Sequence, residues 1–129
     1  MGIEEEDIDP TAFLEDVEMR VGEVTAAEPF PKARKDVYRL EVDFGEETLG
    51  SAAGLTDNYD PEELVGRQVV AVVNLGSVDI AGFESECLVT GVDSAGRGPA
   101  GGQVEPDDAD GGVVHLQPER EVPNGARVY

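Results

Sequence analysis

The sequence is poor in the residues that do covalent or redox chemistry. It has one cysteine and one histidine, no tryptophan, two lysines and only 5% aromatics in 129 residues. A lone Cys87 excludes an internal disulfide framework and fits a reducing compartment or one where redox state is immaterial. Lying between Glu86 and Leu88 in an apolar strand, it reads as a buried structural thiol rather than a nucleophile. His115 stands alone in "VVHLQ", where a strand histidine is a structural neighbour more often than a base or a ligand. No set of His, Cys or carboxylates has zinc-site spacing. "DDAD" at Asp107 to Asp110 lacks the glycine and distal glutamate of a calcium loop. "GRGPAGG" lacks the lysine and following helix of a phosphate-binding loop. These absences argue against an enzyme, and no metal or cofactor is expected. Long hydrophobic runs are missing too: the longest, "VVAVV" from Val69 to Val73, is far short of the ~20 residues that span a bilayer. The opening "MGIEEEDIDP" is too acidic and too polar for a secretory signal. A soluble cytoplasmic protein without membrane insertion is expected.

What the chain has in excess is negative charge. It carries 29 Asp and Glu against nine Lys and Arg, a formal charge of −20. Carboxylates are scattered through every segment, and seven of the nine cations are Arg. High dispersed charge of one sign keeps a protein soluble at a cost in self-repulsion, which molar salt screens to a Debye length of about 3 Å. A halophilic source is therefore expected.

Four of the nine cations crowd into "PKARKDVYR", residues 31–39. The surrounding pattern says where that segment falls. Residues 1–18 hold eight carboxylates and no Lys or Arg, and read as an acidic extension with a short helix capped by Asp9 and started by Pro10. From Met19 the texture is β, and the chain's eighteen valines cluster in runs. "VYRLEVDFG" alternates strictly, Tyr38, Leu40, Val42 and Phe44 on one face, and predicts a half-buried antiparallel strand. "DPEELVG" carries a cap at Asp60, Pro61 at the first helical position, Glu63 to close a capping box and a terminating Gly66. "QVVAVVNL" reads as a central strand and "SECLVTGV" as another. Residues 93–112 hold six glycines, two prolines and five acids. They predict a mobile insertion within a single domain over 19–129. "VVHLQ" resumes a strand, and "VPNGARVY" closes with a turn at Asn124-Gly125.

Three strands, a short helix and two further strands form the order of the OB-fold, a five-stranded Greek-key barrel that binds ligands across strands 2 and 3. The flanking loops join strands 1 and 2 and strands 4 and 5. "PKARKD" falls in the first and "GSVDIAG" (Gly76 to Gly82) in the second. Lys32, Arg34 and Lys35 then become candidate phosphate contacts. Ser51, Asn74 and Ser85 become candidate hydrogen-bonding groups in the cleft, with Phe83 and Tyr59 as stacking faces.

"MRVGEVTAAEPFPKARK", "YRLEVDFGEE", "LVGRQVVAVVNL", "IAGFESECLVTG" and "REVPNGARVY" together resemble the tRNA-binding-domain family. Within it they are most similar to the small CsaA-type proteins, described as tRNA-binding OB-folds and as export chaperones. The resemblance covers about 13–92 and 113–129. It implies binding of tRNA or another structured RNA without chemical change. It also implies a homodimer built by the terminal segments, here Phe13, Pro123, Asn124, Arg127 and Tyr129. The chain departs from the CsaA-type pattern in "LGSAAG", where Gly50 and Gly54 replace glutamines. It departs again at "GSV", where "PPR" is usual, and at Glu84, where a lysine is common. Two other readings follow. A chaperone for unfolded or export-precursor polypeptides would use apolar residues such as Leu49, Leu55 and Phe83. An interaction subunit would dock on a translation factor.

Overall fold

The computed structural model describes residues 3–94 and 112–129. A short helix, α1 (Pro10–Asp16), precedes the barrel, with the Asp9 carboxylate accepting from Thr11 N at 2.8 Å. The strands are β1 (Met19–Pro29), β2 (Tyr38–Asp43), β3 (Thr48–Ala53) and β4 (Gln68–Val72). They continue as β5 (Val78–Ile80), β6 (Phe83–Ser85), β7 (Leu88–Val89), β8 (Gly91–Asp93) and β9 (Val113–His115). The helix α2 (Pro61–Leu64) lies between β3 and β4, and Asp60 N donates to Glu63 Oε1 at 2.7 Å as the reciprocal half of the expected capping box.

The main sheet runs β3-β2-β1-β4-β7, antiparallel throughout. β1 is long enough to serve two partners. Its first half pairs with β4, its second with β2, and the register shifts between Val24 and Ala26, a bulge that turns the strand from one wall to the next. Closure comes from the segment after β6. The amides of Glu86 and Cys87 both donate to Gly50 O, at 2.8 and 3.3 Å, and join β3 to the far end of the sheet. The result is a nearly closed five-stranded antiparallel barrel of the OB type. Its core is aliphatic: Val24, Leu40, Val42, Leu64, Val69 and Ala71 are fully enclosed. β4 alternates buried and half-buried positions, so its valine run does not mean burial on both faces.

Two sequence expectations change in detail. "SECLVTGV" falls in three short pieces, β6, β7 and β8, because it pairs with three partners in turn. β6 pairs with β5, β7 with β4 and β8 with β9. "GSVDIAG" is a β-ribbon rather than an irregular loop: β5 and β6 join through Ala81 and Gly82, both at positive φ (49° and 87°), the conformation of a two-residue type I′ turn. The expected insertion lies outside the described residues over 95–111. At its roots Ser94 N and Oγ both donate to Gly112 O at 3.1 Å.

The C-terminal segment folds back onto the barrel. Val21 N donates to Ala126 O, Gly125 N to Val21 O and Val128 N to Met19 O, filling the edge of β1 beside β4's partner half. Two expected interface residues are engaged inside the chain. Asn124 accepts from Gln68 Nε2 at 2.9 Å and donates to Glu23, while Arg127 donates to Leu14 O at 2.6 Å. Phe13 is half-buried, and Pro123 and Tyr129 are exposed.

Candidate nucleic-acid interface

The outward face of β1 and β2 carries Glu28 directly opposite Arg39, and the two form an ion pair across the strands. Above them the β5–β6 ribbon brings Phe83 over β3. Gly50 makes this approach possible, since a Cβ there would fall 2.9 Å from the Phe83 ring and 2.7 Å from Glu84 O. The Phe83 ring meets that of Phe30 edge to face, centroids 5.6 Å apart. The Arg39 guanidinium carbon lies 5.2 Å from the centre of Phe30 and 5.9 Å from that of Phe83, and Nε is buried with no hydrogen-bond partner among the described residues. A guanidinium set against both rings of an edge-to-face phenyl pair is a cation–π arrangement that restrains its orientation. The cleft between the β1–β2 loop and the β5–β6 ribbon is thus floored by an ordered Phe30–Arg39–Phe83 cluster.

Lys32, Arg34 and Lys35 stand exposed in the β1–β2 loop, and Lys32 lines a hollow with this cluster. Three other cations are ion-paired, Arg20 with Glu18 at 2.8 Å, Arg67 with Glu63 at 3.9 Å and Arg120 with Glu119 at 2.8 Å, and Arg127 donates to the Leu14 carbonyl. Lys32 and Arg34 have no ion pair among the described residues. Lys32 lines a hollow with Phe30, Arg39 and Phe83, and Arg34 lies two residues further along the same loop, in a molecule with a threefold excess of carboxylates.

Of the expected cleft residues, Lys32 and Phe83 line the same hollow. Ser51 does not reach it. It is 1% exposed, faces the core opposite Leu40, and donates its hydroxyl to Cys87 O at 2.9 Å. Asn74 is committed as well: its Oδ1 accepts from Glu18 N and its Nδ2 donates to Asp16 O, both at 2.9 Å, fastening the end of α1 to the strand wall. Ser85 Oγ accepts from Ala52 N at 3.1 Å and joins β6 to β3. Ser51 and Ser85 thus tie β3 to the closing segment of the barrel, and Asn74 ties α1 to the barrel. Tyr59 packs beside α2, accepts from Tyr38 OH and from His115 N, and stacks on His115 with centroids 5.2 Å apart. Leu55 is 2% exposed and Leu49 lines a different hollow with Phe44 and Val73, so Leu49, Leu55 and Phe83 do not form one groove.

Phe30 and Arg39 are the residues that sequence reasoning passed over. "EPFP" places an aromatic just before the cations, and Arg39 is the outward residue of the alternating strand, but their meeting depends on the register of β1 with β2. Neither titratable oddity points to catalysis. Burial pushes the Cys87 thiol up to about 11, and burial lowers the His115 pKa while its Nε2 has no hydrogen-bond partner among the described residues. Among the described residues no three His, Cys, Asp or Glu gather where they could hold a metal ion, and no helix is long and apolar enough to cross a membrane. "DDAD" and "GRGPAGG" lie outside the described residues.

Residues 19–127 match the family described as "Putative tRNA binding domain". The chain belongs to this family. Among curated relatives it is 32% identical over 117 residues to the methionine–tRNA ligase of Methanocaldococcus jannaschii, covering 91% of this chain and 16% of the ligase. It is 34% identical over 113 residues to that of Bacillus subtilis, covering 88% and 15%. The chain therefore spans about a sixth of those enzymes' length, the portion that matches a binding domain rather than a catalytic one. Its fold is similar along the whole length of two solved proteins. The chaperone CsaA of Bacillus anthracis superposes with a TM-score of 0.72 at 40% identity, covering 95% of this chain and 100% of that one. The MetRS-related protein of Pyrococcus horikoshii gives 0.73 at 30%, covering 96% and 100%.

Proposed function

We propose that this chain is a non-catalytic RNA-binding module whose ligand is tRNA, held in the cleft between the β1–β2 loop and the β5–β6 ribbon. The observation that carries the reading is Lys32 at the Phe30–Arg39–Phe83 floor, with Arg34 in the same loop and neither cation ion-paired among the described residues, in a chain of the tRNA-binding-domain family. Lys32, Arg34 and Lys35 contact phosphate. Phe83 and Arg39 offer planar faces to bases. Ser51, Asn74 and Ser85 act through the barrel that presents them. The homodimer is part of this proposal, with Phe13, Pro123 and Tyr129 as the residues left to form it. Sedimentation equilibrium tests the dimer separately. The binding role is tested by retention of total tRNA on the immobilised protein: Lys32→Glu/Arg34→Glu loses the tRNA, and equal retention by the variant overturns the assignment.

A second reading has one observation in its favour. The barrel is least closed between β3 and β7, where Val37, Ala53, Leu55, Leu88 and Val113 line an apolar hollow of about 340 Å³ and Leu88 is 47% exposed. With the likeness to a chaperone, this hollow suits an apolar segment of an unfolded polypeptide. Leu88→Asp abolishes such binding and leaves tRNA retention intact if the two ligands use separate sites.

A further inference from the structure

The cleft floor is flanked by two hollows that share Arg39 and Phe83 and differ in charge. One, of about 330 Å³, is lined by Phe30, Pro31 and Lys32 and holds no carboxylate. The other, of about 320 Å³, is lined by Ala26, Ala27, Glu28 and Glu41 and holds no lysine. Each is at the lower end of the range for small-molecule sites, about 300–1,000 Å³. Phosphate is repelled by the side with two carboxylates and attracted by the side with Lys32. A neutral base bearing N–H donors has the reverse preference at the acidic side, where a carboxylate accepts from it in a charge-assisted hydrogen bond. Between the two sides Phe83 and the Arg39 guanidinium supply flat surfaces, and the ion pair to Glu28 and the flanking rings keep Arg39 from swinging out to meet phosphate itself.

We propose that the two hollows are one subsite for a single unpaired nucleotide, held in a fixed direction: phosphate at Lys32, base face on Phe83 and Arg39, and an amino-bearing base edge at Glu28 and Glu41. The proposal rests on the RNA-binding reading and deepens it. It makes a choice between bases that the cations alone cannot make. Cytosine presents an amino group at the edge where uracil presents a carbonyl oxygen, and a carboxylate accepts from the first and repels the second. The arrangement also suits an acidic protein, because stacking and base-edge hydrogen bonds survive salt that screens phosphate contacts.

The test uses fluorescein-labelled RNA octamers of cytidine and of uridine, with tRNA retention measured in parallel. The full chain binds the cytidine octamer about tenfold more tightly than the uridine octamer. Glu28→Gln brings the ratio to within about twofold, since an amide can turn either group toward the base. Phe83→Leu weakens both octamers about tenfold, and Phe83→Tyr restores them. If Phe83→Leu does not fold, the Glu28→Gln ratio decides alone. Equal binding of the two octamers by the unaltered chain, while tRNA is still retained, overturns the subsite and leaves the RNA-binding reading standing. Binding of neither octamers nor tRNA overturns both.

Discussion

Glu28 and Arg39 face each other across β1 and β2 as a directly opposed pair, and Arg39 in turn lies beneath Phe30 and Phe83. This relationship explains why one arginine of the basic segment behaves unlike its neighbours. Arg39 is held on the strand face by its opposed partner, whereas Lys32, Arg34 and Lys35 stand exposed in the loop. The segment that looks like one basic cluster in the sequence is divided in the fold between a strand and a loop.

Gly50 is the hinge of the cleft, because β3 meets the β5–β6 ribbon and the Glu86–Cys87 amides at that residue. A Gly50→Gln variant, which restores the side chain usual in CsaA-type sequences, drives its Cβ into Phe83 and Glu84 O. Overpacking of this kind costs about 1–3 kcal/mol. Urea denaturation measures that loss, and tRNA affinity falls with it as Phe83 is displaced.

Ser51 and Asn74 supply a contrasting pair of substitutions. Ser51→Ala leaves Cys87 O without its buried donor, and Asn74→Ala releases Glu18 N and Asp16 O. The buried Ser51 change costs about 1–2 kcal/mol in unfolding free energy, and the solvent-exposed Asn74 change about 0.5–1 kcal/mol. At temperatures where both variants stay folded, tRNA affinity is unchanged within twofold. A selective loss of affinity without loss of stability would return either residue to the cleft.

How much of this was legible in the sequence varies with the physics that sets each feature. The faces of β2 follow from strict alternation, and α2 follows from Asp60, Pro61 and Glu63, because both signals are local. The β5–β6 turn was hidden, since Ala81 occupies a positive-φ position where Asn or Gly would announce a type I′ turn. Ser51 was read as a cleft residue because its orientation depends on pairing with Leu40 across β3 and β2, and register between strands is not written in either strand alone. The same limit hid the meeting of Phe30, Arg39 and Phe83.

His115 gives the fold a pH dependence of known sign. Burial lowers its pKa in the folded chain, and the unfolded value is about 6.5. The unfolded state therefore binds more protons as pH falls through that value. The stability contribution is present above about pH 6.5 and is lost as pH falls toward the folded pKa. The urea midpoint of the native sequence drops between about pH 7.5 and 5.5, and His115→Phe flattens that change. An unaltered slope would assign it to the carboxylates.

Charge repulsion makes a prediction about stability in salt. With a formal charge of −20, screening removes a cost carried by the folded state. The melting temperature rises in KCl from about 0.1 M to multimolar concentrations. A flat or falling curve would contradict adaptation to high salt.

The most direct test of the central claim is fluorescence anisotropy of labelled total tRNA in KCl from ~0.2 to ~3 M, comparing the native sequence with Arg34→Glu/Lys35→Glu. Three loop cations on phosphate predict a log–log slope of about −2 to −3. The stacked floor predicts that residual binding persists at the high end. The double variant binds more weakly at low salt and has a shallower slope. Indistinguishable curves for the two proteins, or no binding at any salt at which the chain is folded, would contradict an RNA cleft bordered by Lys32, Arg34 and Lys35.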